Sequence, residues 1–226
     1  MRISSRKLKW GQTAARAVAV VLALRTSVLP ASATLVAITN PAVTVTDNGT
    51  YTVGYDFSVG PQALVVSALG VWDADTNGLL IAHPVAIWTT TGTLLASNTV
   101  PAGTAGTLVG EYRYADLTSS LVLTAGATYR IGALTGTDDY HGSVFLPSAN
   151  APVFATPNVN FVNRIADLSG VFVFPNSLFL GGASAWDFPN FEYVLIPEPS
   201  TMLLLGLGGG LLWQRARRAH RLSSST

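Results

Sequence analysis

The sequence predicts an all-β protein, a single β-sandwich or jelly-roll-like domain, and three observations lead to this fold class. Residues 51–59 alternate between apolar and polar side chains, which is the period of a strand with one face on a core. Short apolar runs recur roughly every ten residues between turn-forming residues, as they do in sandwiches. No window between residues 34 and 195 keeps a helical stripe, because glycine, proline, threonine and asparagine interrupt it.

The predicted strands follow the chain in order. In residues 51–59 the odd-numbered side chains are expected on the core and the even-numbered ones in water. Residues 64–73 are predominantly apolar, which indicates a central strand. Further strands are predicted at residues 83–88, 93–98, 109–114, 121–124, 128–134, 161–162, 171–174, 177–180 and 190–195. Prolines divide residues 138–185 into short pieces joined by long loops.

The first 33 residues have the three parts of a secretory signal peptide. A basic start precedes the apolar run 17–24, and Ala31 and Ala33 supply the small residues of a cleavage site. We therefore expect export by the Sec machinery and removal of residues 1–33 by signal peptidase. An amphipathic N-terminal helix is the alternative. The mature domain is predicted to cover residues 34–195.

The charge of the mature domain differs from that of the whole chain. Residues 34–196 contain three arginines against eleven acidic residues, a net charge of −8, although the full chain carries +1. An acidic domain with three scattered arginines lacks the basic surface that nucleic acid requires, so nucleic acid is excluded as a partner. The chain has no cysteine, which excludes disulfides, thiolate metal sites and a cysteine nucleophile.

The C-terminal residues 196–226 combine a rigid turn, an apolar segment and a basic stop. Pro197, Glu198 and Pro199 precede the fourteen-residue segment 200–213, in which residues 202–213 form an apolar run. Those fourteen residues span about 21 Å as a helix, which is short against a hydrocarbon core of about 30 Å. The basic residues that follow are Arg215, Arg217, Arg218 and Arg221. They are expected to stay on the cytoplasmic side of the membrane. This pattern predicts a short transmembrane helix that anchors the chain transiently.

These C-terminal residues closely resemble the PEP-CTERM sorting signal of Gram-negative bacteria. The resemblance implies an exosortase-type sorting enzyme as partner, with the Pro-Glu-Pro triplet as the sorting motif and removal of the tail. It also implies passage through the inner membrane to the cell envelope or the outside, and association with exopolysaccharide or biofilm matrix.

The body of the chain is similar to an exported β-sandwich family without an assigned activity. The similarity lies between residues 51 and 193. It is carried by residues 57–59, 68–73, 77–79, 83–88, 92–97, 100–104, 112–114, 123–126 and 189–191. This resemblance implies the fold and the export route, and it adds no catalytic residue.

One loop has the residue types of a calcium site. Asp73, Asp75 and Asn77 place oxygens at alternating positions before Gly78, as at the start of an EF-hand loop. Pro84 stands where that loop needs its bidentate glutamate, and no helix flanks it. Asp, Asn and Gly are also the residues that hairpin turns prefer. The loop is therefore either a plain turn or a calcium-stabilised one, and no other cofactor is predicted.

A second polar loop, residues 138–141, places a histidine beside two aspartates. Such a group can bind a metal or act as a base. His83 is the only other histidine of the mature domain, so a two-histidine site would need His83 and His141 to meet. A solvated acidic loop is the alternative.

Aromatic residues give a possible binding signal. Trp88, Trp186 and Tyr112 lie on or beside predicted strands or loops, where flat exposed rings would suit stacking on sugars. The alternative is that these rings fill the core of the sandwich.

The sequence predicts no enzyme. It contains neither a Gly-x-Ser-x-Gly elbow nor an HExxH pair. Glu111 and Glu192 could form a glycosidase pair, but no motif favours it. We expect an exported, non-catalytic surface or matrix protein, with a carbohydrate-binding module as the alternative.

Overall fold

The structure is a computed structural model that describes residues 33–40, 46–47, 49–138, 140–141, 152–178 and 188–197. These residues form fifteen strands, and every pairing between them is antiparallel. The described part of the chain contains no helix long and apolar enough to cross a membrane. The predicted signal peptide up to residue 32 and the predicted membrane segment 200–213 lie outside the described residues.

Two main sheets make up the fold. The five-stranded sheet has the order β1 (Leu35–Val36), β15 (Pro189–Leu195), β5 (Leu64–Trp72), β9 (Tyr112–Leu123) and β8 (Thr107–Val109). The six-stranded sheet has the order β14 (Ser177–Leu178), β13 (Val159–Asp167), β4 (Thr52–Val59), β10 (Thr128–Leu134), β6 (His83–Thr89) and β7 (Leu94–Val100). Two ribbons join β2 (Ile38–Asn40) to β12 (Val153–Phe154) and β3 (Thr46–Asp47) to β11 (Tyr140–His141).

The core lies between the two main sheets. Phe57 on β4 meets Phe191 on β15 with ring centroids 5.0 Å apart. Tyr55, two residues before Phe57 on the same face, packs edge-on against Phe154 at 5.1 Å. Such interdigitation of aromatic and aliphatic side chains from two facing sheets defines a β-sandwich. The predicted all-β sandwich is confirmed.

Several strand predictions agree with the structure, and two are wrong. Residues 64–73 do form a central strand, β5, between β15 and β9. The predicted strand 109–114 instead contains the turn between β8 and β9, at residues 110–111, where Gly110 has a φ of 61° that favours glycine; residues 112–114 begin β9. The segment 171–174, predicted as a strand, pairs with no neighbour in the described sheets.

The alternation in the sequence predicted that the even-numbered side chains of β4 lie in water, and this prediction is wrong. Thr52 and Asp56 on that face are buried. The segment of residues 171–176, hereafter the strap, crosses this face. Thr52 Oγ1 donates to Val171 O at 2.9 Å and accepts from Val173 N at 3.3 Å. The strap therefore converts the outer face of a two-layer sandwich into a second buried surface.

Candidate functional site

A cleft of about 170 Å³ lies at the end of the sandwich where β5 finishes. Its lining includes Trp72, Asp73, Asp75, Asn77, Leu80 and Asp138. It joins the loop after β5 to the loop after β10, which brings together two of the polar stretches singled out in the sequence. Three carboxylates line the cleft. Whether they can bind a ligand or exchange a proton depends on the hydrogen bonds that each one already makes within the protein.

Asp73 is held by a buried ion pair. Its Oδ2 lies 2.6 Å from Arg113 Nε, and both side chains are at most 4% exposed. Arg113 also donates through Nη2 to Thr76 O at 2.9 Å, which secures the loop from its inner side. Removal of either side chain would leave the charge of the other buried and unpaired, which is strongly unfavourable. Arg113, placed between Tyr112 and Tyr114 in the sequence, was not predicted to have this function.

The loop itself is a tight turn. Thr76 N donates to Asp73 O at 3.1 Å, and Thr76 has a φ of 59°, in the left-handed region. Gly78 N donates to the two oxygens of Asp73 at 3.1 and 3.4 Å. Asn77 Nδ2 donates to Asp75 Oδ2 at 2.6 Å. Every oxygen-bearing side chain of the loop thus has a partner within the protein.

This geometry favours the turn over the calcium interpretation. A calcium ion takes six to eight oxygens, chiefly carboxylates and carbonyls facing inward. Asp73 instead directs its carboxylate at Arg113, a cation that would repel a second one. Within the described residues, no group of three or more His, Cys, Asp or Glu side chains is placed to hold a metal ion.

Asp138 pairs with His83, a contact that the sequence left open. His83 Nε2 lies 2.9 Å from Asp138 Oδ2, and Nδ1 lies 2.8 Å from Leu134 O. Asp138 also accepts from Leu80 N at 2.7 Å and from Ile81 N at 3.1 Å. Because a carbonyl only accepts, Nδ1 of His83 donates to Leu134 O. The contact between His83 Nε2 and Asp138 fastens the loop after β10 to the start of β6.

The two histidines are not brought together by the strand pairing. His141 is on β11 and pairs with Thr46 on β3, whereas His83 begins β6. His83 is fully buried, with Phe188 packed edge-on at 5.1 Å. The two-histidine metal site is therefore not supported. Asp139 lies outside the described residues.

Two of the three predicted sugar-contacting rings, Trp88 and Tyr112, are buried. Trp88 is 5% exposed and packs against Phe172 and Phe174 of the strap at 5.7 and 5.9 Å. Tyr112 is 2% exposed. Neither ring offers a face to a ligand, so the exposed-ring interpretation is wrong for Trp88 and Tyr112. Trp186 lies outside the described residues.

Glu111 and Glu192 do not form a catalytic pair. Glu111 Oε2 accepts from Trp72 Nε1 at 3.0 Å, at one end of β5. Glu192 is opposite Ala68, four residues earlier on β5, so the two backbones are roughly 13 Å apart along the strand. Burial, and secondarily the nearby Asp116, raises the pKa of Glu192. Burial raises the pKa of its neighbour Tyr114 well above its ordinary value.

The sorting tail leaves from the opposite end of the sandwich. Ile196 N donates to Ala63 O at 2.9 Å, just before β5 begins, whereas the cleft lies beyond Trp72, where β5 ends. The nine residues of β5 span roughly 26 Å. Pro197 is the last described residue. Glu198 and Pro199 of the sorting motif and the four predicted stop-transfer arginines lie outside the described residues.

Comparisons with known proteins define the family. The family model "Domain of unknown function (DUF4082)" matches residues 38–180, and the model "PEP-CTERM protein-sorting motif" matches residues 195–218. No curated protein matches the chain.

Three similar solved structures come from infectious bursal disease virus. A mutant VP2 protein is 13% identical, with 76% of this chain and 42% of that chain covered and a TM-score of 0.24. The Gx strain structure is 12% identical, with 83% and 51% covered and a TM-score of 0.26. A VP2 subviral particle is 12% identical, with 83% and 50% covered and a TM-score of 0.24. The chain thus spans about half the length of these viral chains or less.

The fold and the terminal motif define the class: an exported β-sandwich protein with a C-terminal sorting signal. The chain belongs to the DUF4082 family, whose match covers most of the sandwich. The PEP-CTERM motif makes it a protein that is exported through the membrane to the cell envelope and processed by an exosortase-type enzyme. Both resemblances noted in the sequence agree with these matches.

Proposed function

We propose that this chain delivers a non-catalytic β-sandwich to the surface of a Gram-negative bacterium, where it associates with exopolysaccharide or biofilm matrix. The observation that carries the proposal is the position of the sorting motif. The match begins at Leu195, the last residue of β15, so the sorting signal follows the sandwich without a linker. The sandwich is therefore the delivered part.

The polar groups of the described domain support a non-catalytic function. Each of its three buried carboxylates has one basic side chain as partner: Asp56 with Arg130, Asp73 with Arg113, and Asp138 with His83. An acid–base catalyst needs a group that can exchange a proton with a substrate. These side chains instead hold loops and strands together, which is a structural use.

The sorting claim is tested by replacing Pro197, Glu198 and Pro199 with alanine in the full chain. We expect the variant to be exported but to stay uncleaved in the inner membrane. A matched control replaces Ser223, Ser224 and Ser225, beyond the matched motif, and should be processed normally. Fractionation and immunoblotting distinguish the forms. Normal release of the Pro-Glu-Pro variant would contradict the proposal.

Association with polysaccharide depends on the surface charge of the mature domain. The three arginines of the mature domain are each at most 9% exposed, so they contribute little positive charge to the surface. Asp75, Glu111 and Asp116 are exposed. Such a surface repels an anionic polysaccharide at low salt, whereas it exerts no electrostatic repulsion on a neutral polysaccharide.

Affinity electrophoresis of the released protein through gels containing the host's own polysaccharide tests this association. We expect retardation by neutral polysaccharide without added cations, and by anionic polysaccharide only when a divalent cation is added. Absence of retardation under all these conditions would reject the matrix association. It would leave the sorting route untouched, because the sorting route is measured separately.

A further inference from the structure

Two carboxylates share one row on the outer face of the five-stranded sheet. Glu192 on β15 and Asp116 on β9 both lie opposite Ala68 of β5, so all three side chains point to the same side of the sheet. This is the outer side, because Phe191, the residue before Glu192, points into the core. The two backbones are two strand spacings apart, roughly 10 Å. Only the methyl group of Ala68 stands between the two longer side chains.

Neither carboxylate has a side-chain hydrogen bond or ion pair with any residue that the structure describes. Of the three arginines of the mature domain, Arg113 points to the other side of β9, and Arg130 and Arg164 lie on strands of the other sheet. Burial, and then the charge of Asp116, raises the pKa of Glu192. The two groups are thus close enough to repel each other, and no arginine compensates them.

A buried hydroxyl points to the same place. Tyr114, two residues before Asp116, lies opposite Gly70 of β5. A methyl group on Gly70 would lie 2.5 Å from Tyr114 Cδ1, so the ring lies across β5 and carries its hydroxyl toward β15. Burial, and then Glu192, raises the pKa of Tyr114, which places Glu192 near that hydroxyl. Tyr114 is only 2% exposed, and its hydroxyl makes no hydrogen bond with a described residue.

Asn190, which lies across Gly70 from Tyr114, is engaged elsewhere. Its Oδ1 accepts from Ile38 N at 3.0 Å and from Phe191 N at 2.9 Å, and its Nδ2 donates to Ile38 O at 3.0 Å. A hydroxyl buried without a partner is unfavourable, as are two carboxylates that repel each other. A single positively charged ligand that accepts oxygen donors would relieve both conditions.

We propose that Glu192, Asp116 and Tyr114 bind a divalent cation, and that this cation is calcium. All three side chains offer oxygen, which is the ligand atom that calcium takes. Calcium–oxygen distances of about 2.3–2.6 Å place two carboxylate oxygens of one ion about 4–5 Å apart. Side chains that extend toward each other from backbones roughly 10 Å apart can meet this spacing. Calcium also tolerates irregular geometry, whereas magnesium demands a near-ideal octahedron.

The sheet is irregular at this row, which leaves further oxygens beside the site. The ladder of β5 shifts register between Glu192 and Tyr193 on one side and between Val66 and Ala68 on the other. Residues 117–120, directly after Asp116, consequently have no partner on β5, and residues 118–120 are exposed. Bulges of this kind commonly redirect side chains at functional sites.

The site deepens the proposed matrix association, on which this step rests. Asp116 is exposed and Glu192 is half-buried, so the outer side of a bound ion faces solvent. Calcium takes six to eight oxygens, and the positions that the protein does not fill are open to water or to the carboxylates of an anionic polysaccharide. The ion would therefore bridge an acidic domain to an acidic polymer.

Thermal melts of the exported protein in chelator and in 10 mM calcium, at constant ionic strength, test the cation site. Calcium should raise the melting temperature of the wild type by about 3–6 °C. Glu192→Gln and Asp116→Asn should lose most of this rise, yet melt in chelator no lower than the wild type, because each removes a repelled charge. The matched control, Asp75→Asn, removes an exposed carboxylate of the Asp73 turn and should keep the full rise. No rise in the wild type, or an equal rise in all four proteins, would overturn the proposal.

Tyr114→Phe tests the buried hydroxyl. In chelator this variant should melt at the same temperature as the wild type or higher, because it removes an unpaired buried group. Its calcium affinity, measured by isothermal titration calorimetry, should fall about threefold, since one neutral ligand is lost. A lower melting temperature in chelator together with an unchanged calcium affinity would overturn the assignment of Tyr114 as a ligand.

Affinity electrophoresis through the host's own anionic polysaccharide tests the bridge separately. With calcium, the wild type and Asp75→Asn should be retarded, and Glu192→Gln should not. Retardation that persists in Glu192→Gln would overturn bridging through this site and leave the matrix association standing. A calcium-dependent melt without retardation of the wild type would reject the association with this polymer and leave the cation site standing.

Discussion

At the scale of single residues, the domain buries its cations and leaves its surface acidic. Arg130 lies in the middle of β10 and donates to Asp56 through Nε at 2.7 Å and Nη2 at 3.0 Å. Its Nη1 donates to Pro175 O at 2.6 Å, and its guanidinium carbon lies 4.7 Å from the centre of the Phe174 ring. Two hydrogen bonds from one guanidinium to one carboxylate fix the relative orientation of the two groups and also pair their charges.

We predict that Arg130→Met destabilises the protein by about 3–5 kcal/mol, because it leaves Asp56 buried without its partner. Urea unfolding of the exported protein measures the change. The double variant Asp56→Leu with Arg130→Met should recover most of the loss, since it removes both charges and keeps their volume. If the single and double variants were equally unstable, packing rather than charge pairing would explain the effect.

Glu192 gives a pH-dependent prediction. Burial, and then Asp116, raises its pKa in the folded state, so its contribution to stability is present at acid pH and is lost as pH rises through that value. Glu192→Gln should therefore stabilise the protein at neutral pH, by on the order of 0.5 kcal/mol because the carboxylate is partly exposed and screened. At about pH 3 the two proteins should be equally stable. Thermal melts at both pH values measure this. A gain of the same size at pH 3 would contradict the electrostatic cause.

At the scale of elements, the strap decides the environment of Trp88 and of the outer face of β4. Phe172 and Phe174 point inward onto Trp88, while Val171 and Val173, which alternate with them, are exposed. This alternation is that of an extended strand, although the strap pairs with no other strand of the described sheets. Side-chain contacts and the hydrogen bonds of Thr52 hold it in place.

We predict that Phe174→Ala loosens the strap and destabilises the protein by about 2 kcal/mol, less than for a fully buried phenylalanine. Trp88 should then contact water, which shifts tryptophan emission to longer wavelength. The matched control is Val173→Ala, on the exposed side of the same segment, which should change both observables little. Equal emission shifts in the two variants would mean that the ring of Phe174 does not shield Trp88.

The elements also indicate how far the sequence alone could lead. The strands that alternate or are uniformly apolar, β4, β5, β6 and β10, could be predicted, because local periodicity reports burial. The buried outer face of β4 could not, since it depends on the strap about 120 residues later. Likewise, the carboxylates of the Asp73 turn were visible in the sequence, but their engagement by Arg113 was not. A charged residue in the middle of an apolar strand, as at Arg113 and Arg130, was the available signal.

At the scale of the whole molecule, the sandwich places its two distinctive features at opposite ends. The acidic cleft follows the end of β5, and the sorting tail leaves beside its start. The Asp73 turn and the start of the sorting motif are therefore separated by the length of β5, roughly 26 Å.

The last prediction concerns where processing can occur. β15 is an interior strand, paired with β1 through Leu35 and Tyr193 and with β5 through Leu64 and Leu195, and it carries the buried Phe191 and Tyr193. Cleavage before residue 195 would remove part of this strand from the core, whereas cleavage after Ile196 would leave every ladder intact. We therefore expect the released protein to end at or beyond Ile196, as intact-mass measurement will determine. A chain ending at residue 197 should unfold at the same urea concentration as the released form, and one ending at residue 188 should not fold. A folded released form that ends before residue 195 would contradict the assignment of β15 as an essential strand.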